Sequence, residues 1–391
     1  MAPKKSSEGF KLLHGFGAVL TLVGTIIGAG ILGLPYVFAR AGFLTGLAVT
    51  GFVAIFFIYM YLSLGEAILR TKGEHQLPGV TERYFGRKGK SIFFIVMLLS
   101  SYGSLVAYLL ASGRAFHNLF SGFFALSGVL NHPVFYSTIF FIVMSFLIIK
   151  GLNTIMSSEL LVTSLLLISI IFIFIISFSS IDYSNLSNFE SGNLFMPYGA
   201  IFFAFMGFTT VPESIRIMHH KRKAVPIILV LSIVLPLIAY LLFSFAVVGI
   251  MGENTAELGT HGLEEFLGNS MIIIGNIFLL FSVTTSFLAI GFAQQNVFVL
   301  DFGIPKLISW FISIGVPFLL FLSLTNVMGF VDVLSISGAI FGGMMAFLIL
   351  IVSYAAKKKG ELEPEYSVPL NLPMVIVMTA ILVLGVFSLF L

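Results

Sequence analysis

The chain has 391 residues, of which 58% are hydrophobic and 9% charged, with a formal net charge of +3 and a mean hydropathy of +1.09. A soluble core of that length needs far more charge, so the composition indicates a polytopic membrane protein and excludes a soluble globular one. There is no cysteine, which excludes disulfides, thiolate nucleophiles and cysteine-ligated metals.

Lys4, Lys5 and Lys11 precede an apolar stretch that runs on to Phe38 with no small-residue cleavage site, so the start reads as a first span and not as a cleaved signal. That segment, 12–38, is interrupted by Gly24-Thr25-Ile26-Ile27-Gly28-Ala29-Gly30-Ile31-Leu32-Gly33-Leu34-Pro35. Glycine costs a helix about 1 kcal/mol relative to alanine. In hydrocarbon, non-helical backbone survives only where it lines a cavity or is buried in protein. Broken helices at the bilayer midplane are how many secondary transporters build a substrate site.

Segment two, 43–69, carries an acid at Glu66, and segment three, 91–120, carries Ser100, Ser101, Tyr102, Ser104 and Tyr108. Segments four and five are placed at 133–150 and 156–178. Segment six, 194–217, repeats the interruption with Gly207, Thr209, Thr210 and Pro212. Proline removes a donor, and the threonines can re-satisfy freed carbonyls. Segments seven to eleven follow at 224–250, 266–295, 305–324, 328–354 and 372–391, each judged against the roughly 20 residues a span requires.

Eleven spans put 18 of the 20 Lys and Arg residues on one side, leaving Arg40 and Arg114 on the other with Asp182, Glu190, Glu253, Glu257, Glu264 and Glu265. The positive-inside rule then places the N-terminus in the cytoplasm and the C-terminus outside, in a cell membrane. Segments one and six lie five apart and cross in opposite directions. Paired interruptions of opposite topology point to an inverted repeat. The expected fold is an all-α membrane protein: one transporter domain over 1–391, five-helix repeats at 12–178 and 194–354, and an accessory helix at 372–391.

The Gly24–Pro35 stretch resembles the first-helix motif of the amino acid–polyamine–organocation superfamily, closest to its amino acid/auxin permease and bacterial aromatic amino acid permease branches. Phe205-Met-Gly-Phe-Thr-Thr-Val-Pro-Glu-Ser214 resembles their sixth helix, Thr284-Thr-Ser-Phe-Leu-Ala-Ile-Gly291 their eighth, and Leu64-Gly-Glu66-Ala a motif of their second. Eleven spans is also the count of those permeases. Gln294-Gln295-Asn296 departs from the acidic aromatic cluster that follows their eighth-helix motif, and segment six lacks the small-polar or His pattern after its glycine. The resemblance implies a symporter of large neutral or aromatic amino acids, driven by a sodium or proton gradient, with no other cofactor.

A zwitterion must lose water from both its charges, which costs several kcal/mol per ion unless each is paired. The restarting first helix exposes N–H groups of Ile27, Gly28, Ala29 and Gly30 to a carboxylate. The outer half of segment six ends in carbonyls near Phe202, Phe205 and Met206 that face the ammonium. Phe202, Phe205, Phe208 and Tyr102 or Tyr108 are the expected pocket. Two ion-coupling sites are open. Ser282, Thr285 and Ser286 share a face of segment eight and, with the carbonyls of Gly24 and Ile27, match the sodium site of sodium-coupled members of the wider fold. Glu66 is the other, as a proton carrier or as an acceptor of N–H bonds from the unwound part of segment six.

Glu213 and Arg216 are expected to pair with each other or with a neighbouring loop, Glu159 to join an inner gate, and Arg114 and His117 to anchor an outer interface. His219-His220-Lys221-Arg222-Lys223 reads as a headgroup cluster, and Lys357-Lys358-Lys359 with Glu361, Glu363 and Glu365 as a solvated loop. A metal-ion carrier of the same fold would place Asp-Pro-Gly-Asn where this chain has Gly28-Ala29-Gly30-Ile31. None of the seven His residues lies mid-span, so an enzyme is not expected. A nucleobase or organic-amine carrier is the alternative; a nutrient sensor would add a cytoplasmic extension, and only about ten residues precede the first span. The expected partners are an amino acid and the lipid bilayer, with no nucleic acid; a monomer would suffice.

Overall fold

A computed structural model describes residues 17–121, 132–150, 152–218, 221–260, 262–268, 270–325 and 327–387. The N-terminal lysines and His14, His219, His220 and His261 lie outside the described residues, as do the side chains of Glu159 and Glu264. Among the described residues every regular element is helical.

The first two helices are α1 (Gly17–Ile27) and α2 (Gly30–Ala41), bent by 49°. There follow α3 (Phe43–Leu69), α4 (Leu77–Ser121), α5 (Pro133–Lys150), α6 (Leu152–Ser177), α7 (Tyr198–Ala204), α8 (Val211–Ile217) and α9 (Val225–Met251). The rest are α10 (Leu263–Leu267), α11 (Ser270–Asn296), α12 (Lys306–Trp310), α13 (Val316–Leu324), α14 (Phe330–Ile336), α15 (Gly343–Lys359) and α16 (Leu372–Phe387). By length and composition nine stretches can cross a bilayer, or ten with the bent α1–α2 pair counted as one span. The C-terminal α16 has 16 residues, short of the roughly 20 of a full span, and residues 388–391 lie outside the described set.

The solvent for this fold is lipid, and the burial pattern shows it. Ile55, Ile142 and Ile168 are 71%, 60% and 61% exposed, whereas Ser232, Ser244, Ser282, Glu66 and Gln294 are buried. Helices dominate because every backbone group in hydrocarbon must find a partner within the chain. Segment three begins earlier than its apolar run. The helix starts at Leu77 and kinks at Gly86, whose φ of 67° lies in the left-handed region that favours glycine. The Asp301 carboxylate accepts the Gly79 N–H at 2.8 Å and so satisfies the start of α4 from another segment.

With no hydrophobic force between helices in lipid, close approach through small residues holds them together. Gly30 of α2 lies so near α7 that an added Cβ would be 2.6 Å from the Ala204 Cα. A Cβ at Gly338, in the π-helical turn Ser337–Gly342, would be 2.5 Å from the Gly199 oxygen of α7. One at Gly103 of α4 would strike the Ser337 hydroxyl at 2.0 Å. These contacts place α2, α4, α7 and the 337–342 turn around one centre.

Gly30→Ala forces α2 and α7 apart and is expected to lower the unfolding temperature of the purified protein. Gly33→Ala, whose Cβ meets only the end of the Leu334 side chain at 3.3 Å, is the control expected to hold or raise it. Equal melting curves for the two variants would refute the close-approach account.

Candidate functional site

Both interruptions read from the sequence are breaks in the structure. Between α1 and α2 lie Gly28 and Ala29. Residues 205–210 separate α7 from α8 and include the 3-10 turn Phe208–Thr210. Pro212 occupies the first turn of α8, where a missing N–H costs nothing. Thr210 donates its hydroxyl to the Gly207 carbonyl at 2.9 Å, satisfying one freed acceptor. The two breaks pack on each other: a Cβ at Gly207 would lie 2.7 Å from both Ile26 and the Tyr61 hydroxyl.

Two tyrosines that the sequence reading did not single out close the remaining carbonyls. Tyr240 Oη lies 2.7 Å from the Ile26 carbonyl and 2.5 Å from that of Ala204, so one proton serves the ends of α1 and α7 together. Tyr61 donates to the Phe205 carbonyl at 3.2 Å. The Phe205 oxygen expected to face a ligand ammonium is therefore already engaged. The available signal was a buried tyrosine within an apolar run, since its hydroxyl needs a partner.

Segment eight meets segment one through hydroxyls. Thr285 donates to the Gly24 carbonyl at 3.1 Å, and Ser286 lies 3.1 Å from the carbonyls of both Gly24 and Thr25. Thr285 Oγ1 is also 3.0 Å from the Ser282 carbonyl, and Ser282 donates its own hydroxyl to Gly28. The carbonyls engaged are thus those of Gly24, Thr25 and Gly28; Ile27, the last residue of α1, is not among the partners of these three side chains. Thr163 of α6 adds a buried hydroxyl beside Gly24, which a Cβ there would meet at 2.3 Å. An all-oxygen set of this kind suits a hard alkali cation.

At the second break lies a small cavity lined by Ser100, Ser101, Ser104, Tyr108, Phe203, Met206, Gly207, Phe208, Thr209, Ile290 and Met345. Of the expected pocket residues, Met206, Phe208 and Tyr108 line it. Tyr102 does not: its hydroxyl donates to the Ile312 carbonyl at 2.6 Å. Phe202 and Phe205 are turned into an aromatic cluster around Phe57, at 4.8 and 5.7 Å between ring centres, with Phe208 stacked on it at 5.3 Å. Phe203 takes the lining position instead. Seven apolar residues make α7 hydrophobic all round, so sequence alone gave no phase for it.

Of the buried acids, Glu66 differs from expectation. Glu66 faces neither the break of segment six nor the cavity. Its Oε1 lies 2.8 Å from Arg70 Nη2, 3.1 Å from Lys357 Nζ and 3.0 Å from the Ser367 hydroxyl. Its Oε2 accepts the Val368 N–H at 2.7 Å, so the carboxylate ties α3 to α15 and to the chain before α16. Lys357 is accordingly part of a buried ion pair and not of a solvated loop. Nearby, burial and the Glu66 charge raise the phenol pKa of Tyr366, which donates to the Leu62 carbonyl. Of the two pairings expected for Glu213 and Arg216, the structure has the one with a neighbouring loop: Arg216 bonds Glu74 at 3.2 Å, while Glu213 Oε1 accepts from Gln76 at 2.7 Å and from Asn296 of α11 at 3.3 Å. Arg114 reaches Glu257, in the loop after α9, at 3.9 Å.

A sequence model of the tryptophan/tyrosine permease family matches residues 13–389, and the chain belongs to that family. Glutamine transporter 2 of Aliivibrio fischeri is 26% identical over 299 residues, 73% of this chain and 74% of that protein. The tyrosine-specific transport system 1 of Haemophilus influenzae is 30% identical over 110 residues, 26% of each chain. Among solved structures, MhsT in complex with L-phenylalanine superposes with a TM-score of 0.68 at 16% identity, covering 96% of this chain and 97% of that one. The chain is a multi-pass membrane protein of an amino acid permease family, and not an enzyme.

Tyr240→Phe strands two buried carbonyls, each at about 1–3 kcal/mol, and is expected to lower both thermal stability and uptake. Glu66→Gln leaves Arg70 and Lys357 without their buried partner, a loss of about 3–5 kcal/mol where such pairs are broken. Its unfolding temperature should fall while the folded fraction keeps gradient-driven uptake. Selective loss of ion coupling with unchanged stability would make Glu66 the proton carrier after all.

Proposed function

We propose that this permease is a secondary active symporter of amino acids, of the large neutral or aromatic class, working by alternating access in the cell membrane. The single observation that carries the reading is the packing of two helix breaks beside one buried cavity. Backbone freed at such breaks can hold both charges of a zwitterion without a fixed side-chain charge. No side chain caps the start of α2 at Ala29, and the Leu32 N–H turns back to the Ala29 carbonyl at 3.1 Å, so the donors offered to a carboxylate are those of Gly30 and Ile31. The ammonium then lies toward the end of α7, where the Ala204 and Phe205 carbonyls keep a second lone pair each. Ser100, Ser101, Ser104 and Thr209 supply hydroxyls, and Phe203, Phe208, Met206, Ile290 and Met345 an apolar wall for a large side chain.

On this reading the eleven spans form two inverted five-helix repeats, 12–178 and 194–354, with 372–391 accessory, the N-terminus cytoplasmic and the C-terminus outside. A sodium ion is the cation favoured by the oxygens of Gly24, Ser282, Thr285 and Ser286, with Thr163 as a further ligand. The proton reading rests on a different side chain, taken up below. The coverage of the family model and the relatives' names weigh against a nucleobase carrier or a sensor.

Uptake of a labelled panel (phenylalanine, tyrosine, tryptophan, leucine, glutamine) into proteoliposomes under separately imposed sodium and proton gradients tests this. Aromatic or large neutral members should accumulate, and Gly28→Leu with Gly30→Leu should abolish uptake. Thr285→Ala with Ser286→Ala should remove any sodium dependence while leaving exchange at saturating sodium measurable. Full activity in the glycine double variant would end the backbone-site reading.

A further inference from the structure

Glu213 is 7% exposed, on the short helix α8 that follows the second break. Its Oε1 accepts from two neutral amides, and its Oε2 has no hydrogen-bond partner. Among the described residues no Lys, Arg or His forms an ion pair with it. An ionised carboxylate held that way, deep in a bundle, carries a large desolvation cost that one proton removes.

The surroundings fit a group that changes charge. On its own helix Arg216 is committed to Glu74 at 3.2 Å. From the chain before α4 come His75 and Gln76; from the end of α11 come Gln294, Gln295, Asn296 and then Asp301, whose carboxylate is held by the N–H groups of Gly79 and Gln76 with Lys90 bonded to its backbone oxygen. Lys306 contributes its carbonyl to Gln295, and Glu66 and Arg70 on α3 bond to each other and to the α15 side. Both polar atoms of the Gln294 side chain and one of Gln295 are buried without partners, as is Glu213 Oε2. Gln294 lies one turn from Ile290, which lines the central cavity. Pro212, Ile215 and Arg216 line a second cavity with Glu74 and His75. The chain from Thr209, in the lining of the central cavity, to Arg216, in that of the second, thus passes through Glu213.

We propose that Glu213 is the proton-binding site of this transporter and the latch of its inner gate, a deepening that rests on the symporter reading above. A proton from the outer side reaches Oε2 by way of the central cavity while α8 is closed against Gln76 and Asn296. The neutral acid keeps its amide bonds and lets α8 stay buried. When α8 swings outward, water stabilises the carboxylate and the proton leaves to the cytoplasm with the amino acid. This holds whether or not sodium also occupies the α1–α11 oxygens.

The test uses full-length protein in liposomes with equal sodium on both faces and the preferred labelled amino acid of the panel. Wild type should accumulate it under an acid-outside gradient, up to about tenfold per pH unit for one proton per substrate, with internal acidification read by a pH-sensitive dye. Glu213→Gln should lose accumulation and dye response while counterflow exchange persists. Glu213→Asp should keep both with a shifted pH midpoint, and decides the matter if the Gln variant also stalls exchange. Gradient-driven accumulation surviving in Glu213→Gln, an unshifted midpoint in Glu213→Asp, or a wild type indifferent to the gradient overturns the proposal. A wild type without counterflow of any panel member overturns the transporter reading itself, and this assignment with it.

Discussion

Everything at the centre of this bundle follows from unpaired backbone groups at two helix breaks in a region that water does not freely solvate. A freed carbonyl or amide there costs several kcal/mol unless something answers it. The chain answers its acceptors. Hydroxyls of Ser282, Thr285 and Ser286 reach Gly28, Gly24 and Thr25, while Tyr240 and Tyr61 reach Ile26, Ala204 and Phe205. No side chain caps the start of α2. The freed oxygens at the two breaks are thus largely committed to hydroxyls, while the N–H groups of Leu32 and Thr210 turn back to the carbonyls of Ala29 and Gly207, both at 3.1 Å. On the reading proposed above, the cationic end of a ligand must share oxygens already holding a hydroxyl.

The two buried glutamates show how environment divides one side-chain type into two roles. Glu66 has two cations, a hydroxyl and a backbone N–H on its oxygens, so its charge is balanced in place and its geometry is fixed from three segments. Glu213 has two neutral amides and a bare oxygen. Breaking a compensated pair costs stability, whereas a poorly compensated carboxylate relieves its cost by taking a proton. On the assignment proposed above, a structural and an exchangeable acid are separated by what surrounds them, and not by depth.

Much of this was legible in the chain. Glycine runs at 24–33 and at 207, with Pro212, marked both breaks because a regular spanning helix has no use for them there. The i, i+3, i+4 spacing of Ser282, Thr285 and Ser286 marked the face that meets segment one. What the sequence could not carry was rotation and distant pairing. Tyr102 and Tyr108 are six residues apart, about 240° around a helix, so only one can face the cavity, and nothing local says which. In α7 every residue is apolar or small, which hides whether Phe202 or Phe203 points inward. The partners of Glu66 lie about 300 residues away in the chain, at Lys357, Ser367 and Val368. The Gln294-Gln295-Asn296 run was visible as a departure from its relatives' pattern, but its meaning needed Glu213 beside it.

The halves of segment six are held by very different means, and that difference constrains how the molecule can open. α7 packs against α2, α3, α14, the 337–342 turn and α16, with Gly30, Gly338 and Gly385 admitting backbone or ring contacts that a single methyl would block. Its Phe202 is locked into the Phe57 cluster. α2 is likewise pinned outside, where its Leu32 carbonyl accepts the Gly259 N–H at 2.9 Å. α8 packs chiefly on α3 and on its own 3-10 turn, and is closed toward α11 by amide bonds to one carboxylate. Packed glycine contacts admit no small displacement, because interiors of this density switch between arrangements and do not stretch. A few polar bonds to one titratable group can be made and broken as that group gains and loses a proton. On the gate proposed above, motion concentrates in α8, with α2 and α7 as the fixed frame.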